Sequence, residues 1–500
     1  LSGICLFLFL ICSDLFGQLQ PIGQWRDHLP YSSGISITYT GSKVYCATNN
    51  AIFYLDEEDN SMGKISKVNG LSSTGINDMD FDAATSRIVI GYEDGDIDLL
   101  NVSDNTVYNL SDIKRSTIVA DKTIYSVYCV NGFAYMCTGF GIVLIDLSRN
   151  EVKDTYIIGP SGSYLKINGI TISGTTLYAA TDDGIYTGET TNPFLSNYTS
   201  WTKLTNLNAA VVNGPFSHIA NFNNQIFTSF DNTIFNADTV YYFDGLVWNN
   251  FTPVNSLDIN AITANSANLA FAHNFSLNIY DINLNLVDNI FDYVTGSPEP
   301  KDVAFGNNNR KWIADFREGM VQAINTWSNV NYTFSGPYSA GSYRMEISEQ
   351  NMWVTHGLVY GSAWNNYFYG DFASGKDEED NWVTFKDDID KNGFDIDSLF
   401  DVLAVAIDPE DKNHVFHGSM SFAGLLEIDD NRLVAMYDEN NSSLQEWASW
   451  ADYVGISELT FDEEGNLWVA NSFVNEPLSV KKKAGGWQSF ALGSTIRGRN

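Results

Sequence analysis

Apolar and polar residues alternate along most of the chain in short runs of four to eight residues, the period of a half-buried β-strand. One unit recurs: an apolar strand, a short turn, a second strand ending near Ala or Thr, a tight turn, and a third strand. Clear copies run from Ile35 to Asp56, Ile76 to Leu99, Ser126 to Asp146 and Ile167 to Gly188. Further copies lie at Phe216 to Asp244, Ile259 to Asp281 and Lys301 to Ile324. The turn after the second strand aligns on Ala51, Gly95, Gly141, Gly184, Ser276 and Gly319. A spacing of about 44 residues is that of four-stranded propeller blades. Fourth strands carry their own signature, Trp-x-x-apolar, at Trp201–Leu204, Trp248–Phe251, Trp382–Phe385 and Trp487–Phe490. Long helical periodicity is almost absent. The pattern predicts an all-β fold.

The copies from Ile35 to Ile324 number seven, which suits a closed ring. An open ring leaves unpaired strand edges that invite aggregation. The outer strand expected to close it is Trp25-Arg26-Asp27-His28-Leu29-Pro30-Tyr31, ahead of the first unit. A second array then starts, because Trp327 through Pro337-Tyr338-Ser339 echoes Trp25 through Pro30-Tyr31-Ser32. Trp327 therefore reads as a new closing strand. Three more units follow, Tyr343 to Phe385, Val402 to Asp438 and Ile456 to Phe490. The tail Leu492–Ile496 resembles Leu71–Ile76, as if another blade were beginning. The expected organisation is a partial signal peptide over 1–17, a seven-bladed β-propeller over 18–326, and the first three blades of an incomplete second propeller over 327–500. Three blades do not close a ring, so the chain reads as a fragment of a longer protein.

The signal-peptide reading rests on the run Ile4 to Cys12, too short for a bilayer span and typical of a secretory h-region. Ile11 before Cys12 argues against a lipoprotein signal, and Gly17 offers a cleavage point before Gln18. Cys46, Cys129 and Cys137 remain, an odd number in apolar runs, so they read as small core residues and not as a disulfide framework.

Composition narrows the function classes. Lys plus Arg is 27 against 61 Asp plus Glu, a formal charge of −34. Nucleic acid and anionic membrane surfaces need a basic footprint, so neither is an expected partner. With 44% hydrophobic and 14% aromatic residues the chain has ample material for large cores.

Motifs with chemistry are mostly decoys. Gly370 to Lys376 has phosphate-loop spacing, but Asp377 stands where Ser or Thr belongs and no strand-to-helix context surrounds it. Gly139-Phe140-Gly141 lacks the third glycine of a dinucleotide loop, Leu144 taking its place. His414 and His417 fall on opposite faces of a strand, and His28, His218, His273 and His356 are scattered without ligand spacing. Asp388-Ile389-Asp390-Lys391-Asn392-Gly393 has oxygen ligands and a turn glycine at calcium-loop positions, yet Leu399 replaces the closing Glu. Asp395 or Asp397 are substitutes; the favoured reading is a solvated acidic turn. The runs 56–59 and 377–380 read as solubilising turns. No catalytic, cofactor-binding or metal-ligating residue is assigned, and no cofactor.

Two features carry a family resemblance. Asp462-Glu463-Glu464-Gly465-Asn466-Leu467-Trp468-Val469-Ala470 resembles the two-component regulator propeller repeat, as does Asn69 to Ser73 leading into Ile76. Lys311–Ala314 and Met352–Thr355 are looser copies. The opening Gln24-Trp25-Arg26-Asp27-His28-Leu29-Pro30-Tyr31 after a signal segment resembles the PorZ family of the type IX secretion system. That resemblance implies two seven-bladed propellers and a C-terminal sorting domain. It further implies a non-catalytic part of the cell-surface attachment complex, outside the outer membrane or, alternatively, in the periplasm. The implied partners are a sortase-like protease, outer-membrane β-barrel proteins and anionic lipopolysaccharide. Two rival readings use the same architecture: the extracytoplasmic sensor of a hybrid two-component regulator, and a propeller polysaccharide lyase or glycosidase with a carboxylate pair at the ring mouth.

Overall fold

The computed structural model describes residues 25–493 except 255–256, 294–295, 362–363 and 387. The segment over 1–17 read as a signal peptide lies outside the described residues, as do residues 494–500 of the tail. Two compact units divide the chain: one is Leu29–Gly336, the other Pro337 onward together with the residues up to His28. No helix among the described residues is long and apolar enough to cross a membrane.

The first unit is seven four-stranded antiparallel sheets, each taken up in chain order from inner to outer strand. Their inner strands are Ser36–Tyr39, Ile76–Asp82, Ile124–Val130, Ile167–Ser173, Phe216–Phe222, Ile259–Ala264 and Pro300–Phe305. Each inner strand contacts the next, and the seventh contacts the first, so the ring is closed. The expectation of an all-β, seven-bladed propeller is borne out.

Burial explains the sequence pattern of each strand. Second strands lie between neighbouring blades and are covered on both faces, so Arg87–Tyr92 reads RIVIGY and five of its six residues are buried. Outer strands have one wet face, and of Val107–Leu110 only Leu110 is buried. The core is a series of clusters between blades. Ile97, Leu99 and Ile113 of blade 2 pack on Val127, Met136 and Ile145 of blade 3. Phe222 and Phe227 of blade 5 pack on Phe271 and Tyr280 of blade 6.

Closure differs from the expectation. Blade 7 takes its outer strand, Ser328–Tyr332, from the segment read as the start of the second array; it pairs antiparallel with Gly319–Asn325. Residues 25–31 form no strand. Pro30 lacks the N–H that a ladder needs. Residues 29–35 instead form a wedge between blades 7 and 1. The Gly34 N–H donates to Asp315 O at 2.8 Å and the Gly319 N–H to Ser32 O at 2.7 Å. Tyr31 is buried among Val44 and Phe53 of blade 1 and Trp312 and Met320 of blade 7. Gly319 has φ +72°, and a Cβ there would sit 2.9 Å from the Tyr31 carbonyl, so the wedge and the turn need glycine at this point.

The second unit holds three blades. Their strands are Arg344–Ser348, Asn351–Thr355, Ala373–Lys376 and Trp382–Thr384; then Val402–Asp408, Asp411–Ser421, Leu425–Asp429 and Arg432–Tyr437; then Val454–Phe461, Leu467–Asn471, Leu478–Lys481 and Trp487–Phe490. The last two blades are joined directly where Met420 pairs with Gly455 and Ser421 with Val454. All four Trp-x-x-apolar segments lie on outer strands or begin just before one.

Candidate functional site

A channel of about 650 Å³ at the ring centre of the first unit is lined by the inner strands of all seven blades. An inner strand has one edge without a strand partner, and its unpaired N–H and C=O groups need other partners. Side chains supply them. Asn77, Asn168 and Asn260 each follow the first isoleucine of their inner strand. Each donates its amide to the next blade: Asn77 to Ile124 O at 3.1 Å, Asn168 to Phe216 O at 2.9 Å, Asn260 to Pro300 O at 2.9 Å. The recurring Ile-Asn dipeptide was a legible signal of this lacing, although the sequence reading did not single it out.

Carboxylates accept the complementary N–H groups. Asp78 Oδ2 accepts from Val127 N at 2.8 Å, Asp80 Oδ2 from Cys129 N at 2.7 Å, and Asp302 Oδ2 from Ile37 N at 2.9 Å. Their other oxygens accept the N–H of the following residue, Met79, Phe81 and Val303. Ser36 Oγ lies between blades 7 and 2, 2.9 Å from Asp78 and 3.3 Å from Asp302. Burial raises all three carboxyls: Asp80 to about 7 and Asp302 to about 8, with the charge of Asp78 adding to Asp302. His218, also lining the channel, is pushed down to about 4 by burial. Both oxygens of each of these three carboxyls are thus engaged in holding neighbouring strands together.

The residues singled out from sequence do not converge. Ala373–Lys376 is a strand, so the phosphate-loop spacing has no helix behind it, and Lys376 pairs with Asp380 at 2.9 Å. Gly139-Phe140-Gly141 is the turn between Phe133–Thr138 and Gly141–Asp146. The ring nitrogens of His414 lie 2.9 Å from Asp408 and 2.8 Å from Glu427. His417 sits instead in the core, its ring 4.9 Å from that of Trp353. His356 bonds Gly341 O and Ser374 Oγ at 3.0 and 2.8 Å. In the acidic turn, Asp388 accepts from Thr384 N at 2.7 Å. Arg432 reaches Asn392 Oδ1 at 2.6 Å and Asp390 at 3.3 Å, so a guanidinium occupies the position that a cation would take. Cys46 and Cys137 are buried and Cys129 half-buried, all free thiols.

Residues 44–202 match the family model of the PorZ N-terminal β-propeller domain of the type IX secretion system. That segment is similar to the PorZ propeller. A solved structure of PorZ from Porphyromonas gingivalis, described as an essential bacterial surface component of that system, superposes with a TM-score of 0.79 at 19% identity. The match covers 95% of this chain and 61% of that one, so the chain spans about three fifths of the PorZ structure. The extracellular domain of a hybrid two-component system from B. thetaiotaomicron has a TM-score of 0.46 at 13% identity, covering 95% of this chain and 72% of that one. No curated protein matches the sequence. The PorZ resemblance expected from the sequence is borne out.

Proposed function

We propose that this protein is a non-catalytic component of the type IX secretion system at the cell surface. In this reading it is a docking propeller of the complex that processes secreted cargo and attaches it to anionic lipopolysaccharide. The observation that carries the proposal is the PorZ propeller match over residues 44–202. The channel chemistry supports a scaffold: Asp78, Asp80 and Asp302 are acceptors for backbone N–H groups between blades, a task unlike that of a general acid or nucleophile. Its partners are a sortase-like protease and outer-membrane β-barrel proteins. With a charge of −34, contact with anionic lipopolysaccharide requires local basic side chains or neutral sugars.

Deleting the gene tests the proposal. Cargo proteins are expected to keep their sorting domains and to be lost from the surface, with recovery when the gene is restored. Normal processing and display in the deletion strain overturn it.

A further inference from the structure

His414 lies partly buried on the strand Asp411–Ser421, in the middle blade of the second unit, with a carboxylate at each end of its ring. Its Nδ1 is 2.9 Å from Asp408 Oδ2, at the end of the inner strand Val402–Asp408. Its Nε2 is 2.8 Å from Glu427 Oε1, on the strand Leu425–Asp429. The other oxygens of both carboxylates are acceptors too. Asp408 Oδ1 takes the Glu410 N–H at 2.9 Å, and Glu427 Oε2 takes the Tyr437 hydroxyl at 2.5 Å.

A neutral imidazole has one N–H and one bare lone pair. In that state one of the two short contacts sets a lone pair against a carboxylate oxygen. Only a second proton in the cluster gives both contacts a hydrogen, and an imidazolium places it between the two charges that stabilise it. The hydrogen bonds to Glu427 and then to Asp408 hold the His414 ring above its ordinary value, with burial opposing them.

The cluster crosses to the next blade. Lys481, on the strand Leu478–Lys481 of the last blade, has Nζ 3.5 Å from Glu427 Oε2, 5.1 Å from the Phe416 ring centroid and 5.6 Å from that of Tyr437. The Phe416 ring lies 4.8 Å from that of His414 and 5.9 Å from that of Phe461 in the last blade. Tyr437 lies 5.2 Å from Trp487 of the same blade. Glu427 is thus shared by a cation on each side of the seam. The other charged groups close by are paired elsewhere: Lys412, on the strand of His414, turns to Glu378, and Glu410 meets Lys483 at 2.5 Å. With the second proton present, His414 and Lys481 balance Asp408 and Glu427. Without it, one cation faces two carboxylates.

We infer that His414 is a proton-operated latch across the seam between the middle and last blades: as an imidazolium it ties Asp408 to the carboxylate that Lys481 grips, and on losing its proton it lets that tie go. Because the folded ring holds its proton more tightly than the unfolded chain, the stability it contributes is full below about 6.5 and is lost as pH rises through the folded value. The latch is closed in mildly acidic surroundings and opens toward alkaline ones. It belongs to the second unit and does not depend on the secretion role.

The test is NMR of the purified full chain, enriched with ¹³C at histidine Cε1 and titrated from about pH 5 to 9. The resonance absent from His414→Gln is that of His414. It is expected to show the imidazolium shift at pH 6 and to titrate with a midpoint above about 6.5. Glu427→Gln is expected to lower the midpoint, and Asp408→Asn to lower it by less. Amide exchange read by mass spectrometry and corrected for intrinsic rates follows the seam. Leu425–Asp429 and Leu478–Lys481 are expected to lose protection across the same midpoint, with no such step in His414→Gln and none in Arg87–Tyr92 of the first unit. A neutral ring at pH 6 overturns the inference, because the extra proton is then on a carboxyl or missing. So does a midpoint that Glu427→Gln and Asp408→Asn leave in place, or protection of the two strands that does not follow the midpoint in the wild type.

Discussion

Tyr31→Ala should open the ring. Tyr31 is 1% exposed, its ring edge-on to Phe53 at 5.8 Å and to Phe334 at 5.5 Å, with the Lys64 ammonium 5.2 Å from its centroid. Truncating a fully buried aromatic costs about 3–5 kcal/mol, more where the neighbours cannot collapse into the space. Here the neighbours belong to two different blades whose separation is set by the other six interfaces, so little collapse is available and the upper part of that range applies. Against a total stability of about 5–15 kcal/mol such a loss is large. Urea unfolding followed by tryptophan emission reads it directly, because the buried Trp312 lies in the same cluster as Tyr31. With a slope of about 3 kcal/mol/M the midpoint of the ring transition falls by about 1 M or more. Tyr31→Phe keeps the ring in place and should recover most of the loss. A cost below about 1 kcal/mol for Tyr31→Ala would show that the wedge between blades 7 and 1 is not part of the closure.

Three further outcomes follow from the side chains described. The raised carboxyl of Asp302, at about 8, makes its contribution to stability full below the unfolded value near 4, diminishing as pH rises toward 8; the stability of Asp302→Asn relative to wild type should therefore climb between pH 5 and 8.5, read as the gap in Tm. His417 has no hydrogen-bond partner for either ring nitrogen among the described residues, and burial pushes it down to about 3. The folded ring thus stays neutral down to about 3, and the associated stability, fully present above about 6.5, is lost as pH falls toward 3; His417→Leu should raise stability by about 1 kcal/mol or more and blunt acid unfolding in that window, measured by thermal melts. Calorimetric titration of the protein with millimolar calcium should give no heat from the 388–393 turn, because Arg432 already sits on Asp390 and Asn392; a saturable heat abolished by Asp390→Asn would contradict that reading.

The blades were legible because alternation, a constant spacing and turn glycines repeat locally, and each copy reinforced the next. Ring closure was not. Trp25 to Ser32 and Trp327 to Ser339 look alike in sequence, and both carry the Trp and the Pro-Tyr-Ser that suggested an outer strand. What separated them was pairing: Met320 to Asn325 has partners at Tyr332 to Ser328, while Tyr31 is drawn into the core between blades. The channel lacing was half visible, in Ile76-Asn77, Ile167-Asn168 and Ile259-Asn260, but its acceptors lie 40 to 48 residues away on the next blade. The carboxylates at either end of the His414 ring left no linear trace, since Asp408 and Glu427 lie 6 and 13 residues away and look like two more acids of an acidic chain.

Backbone amide exchange across residues 25–35 and 319–332 tests the central claim most directly. The account predicts that Ser328–Tyr332 is protected together with Gly319–Asn325, that the Gly34 and Gly319 amides are slow, and that residues 25–28 do not share the protection of that blade. Strong protection of Trp25 to Tyr31 in step with Gly319–Asn325, with rapid exchange in Ser328–Tyr332, would contradict it.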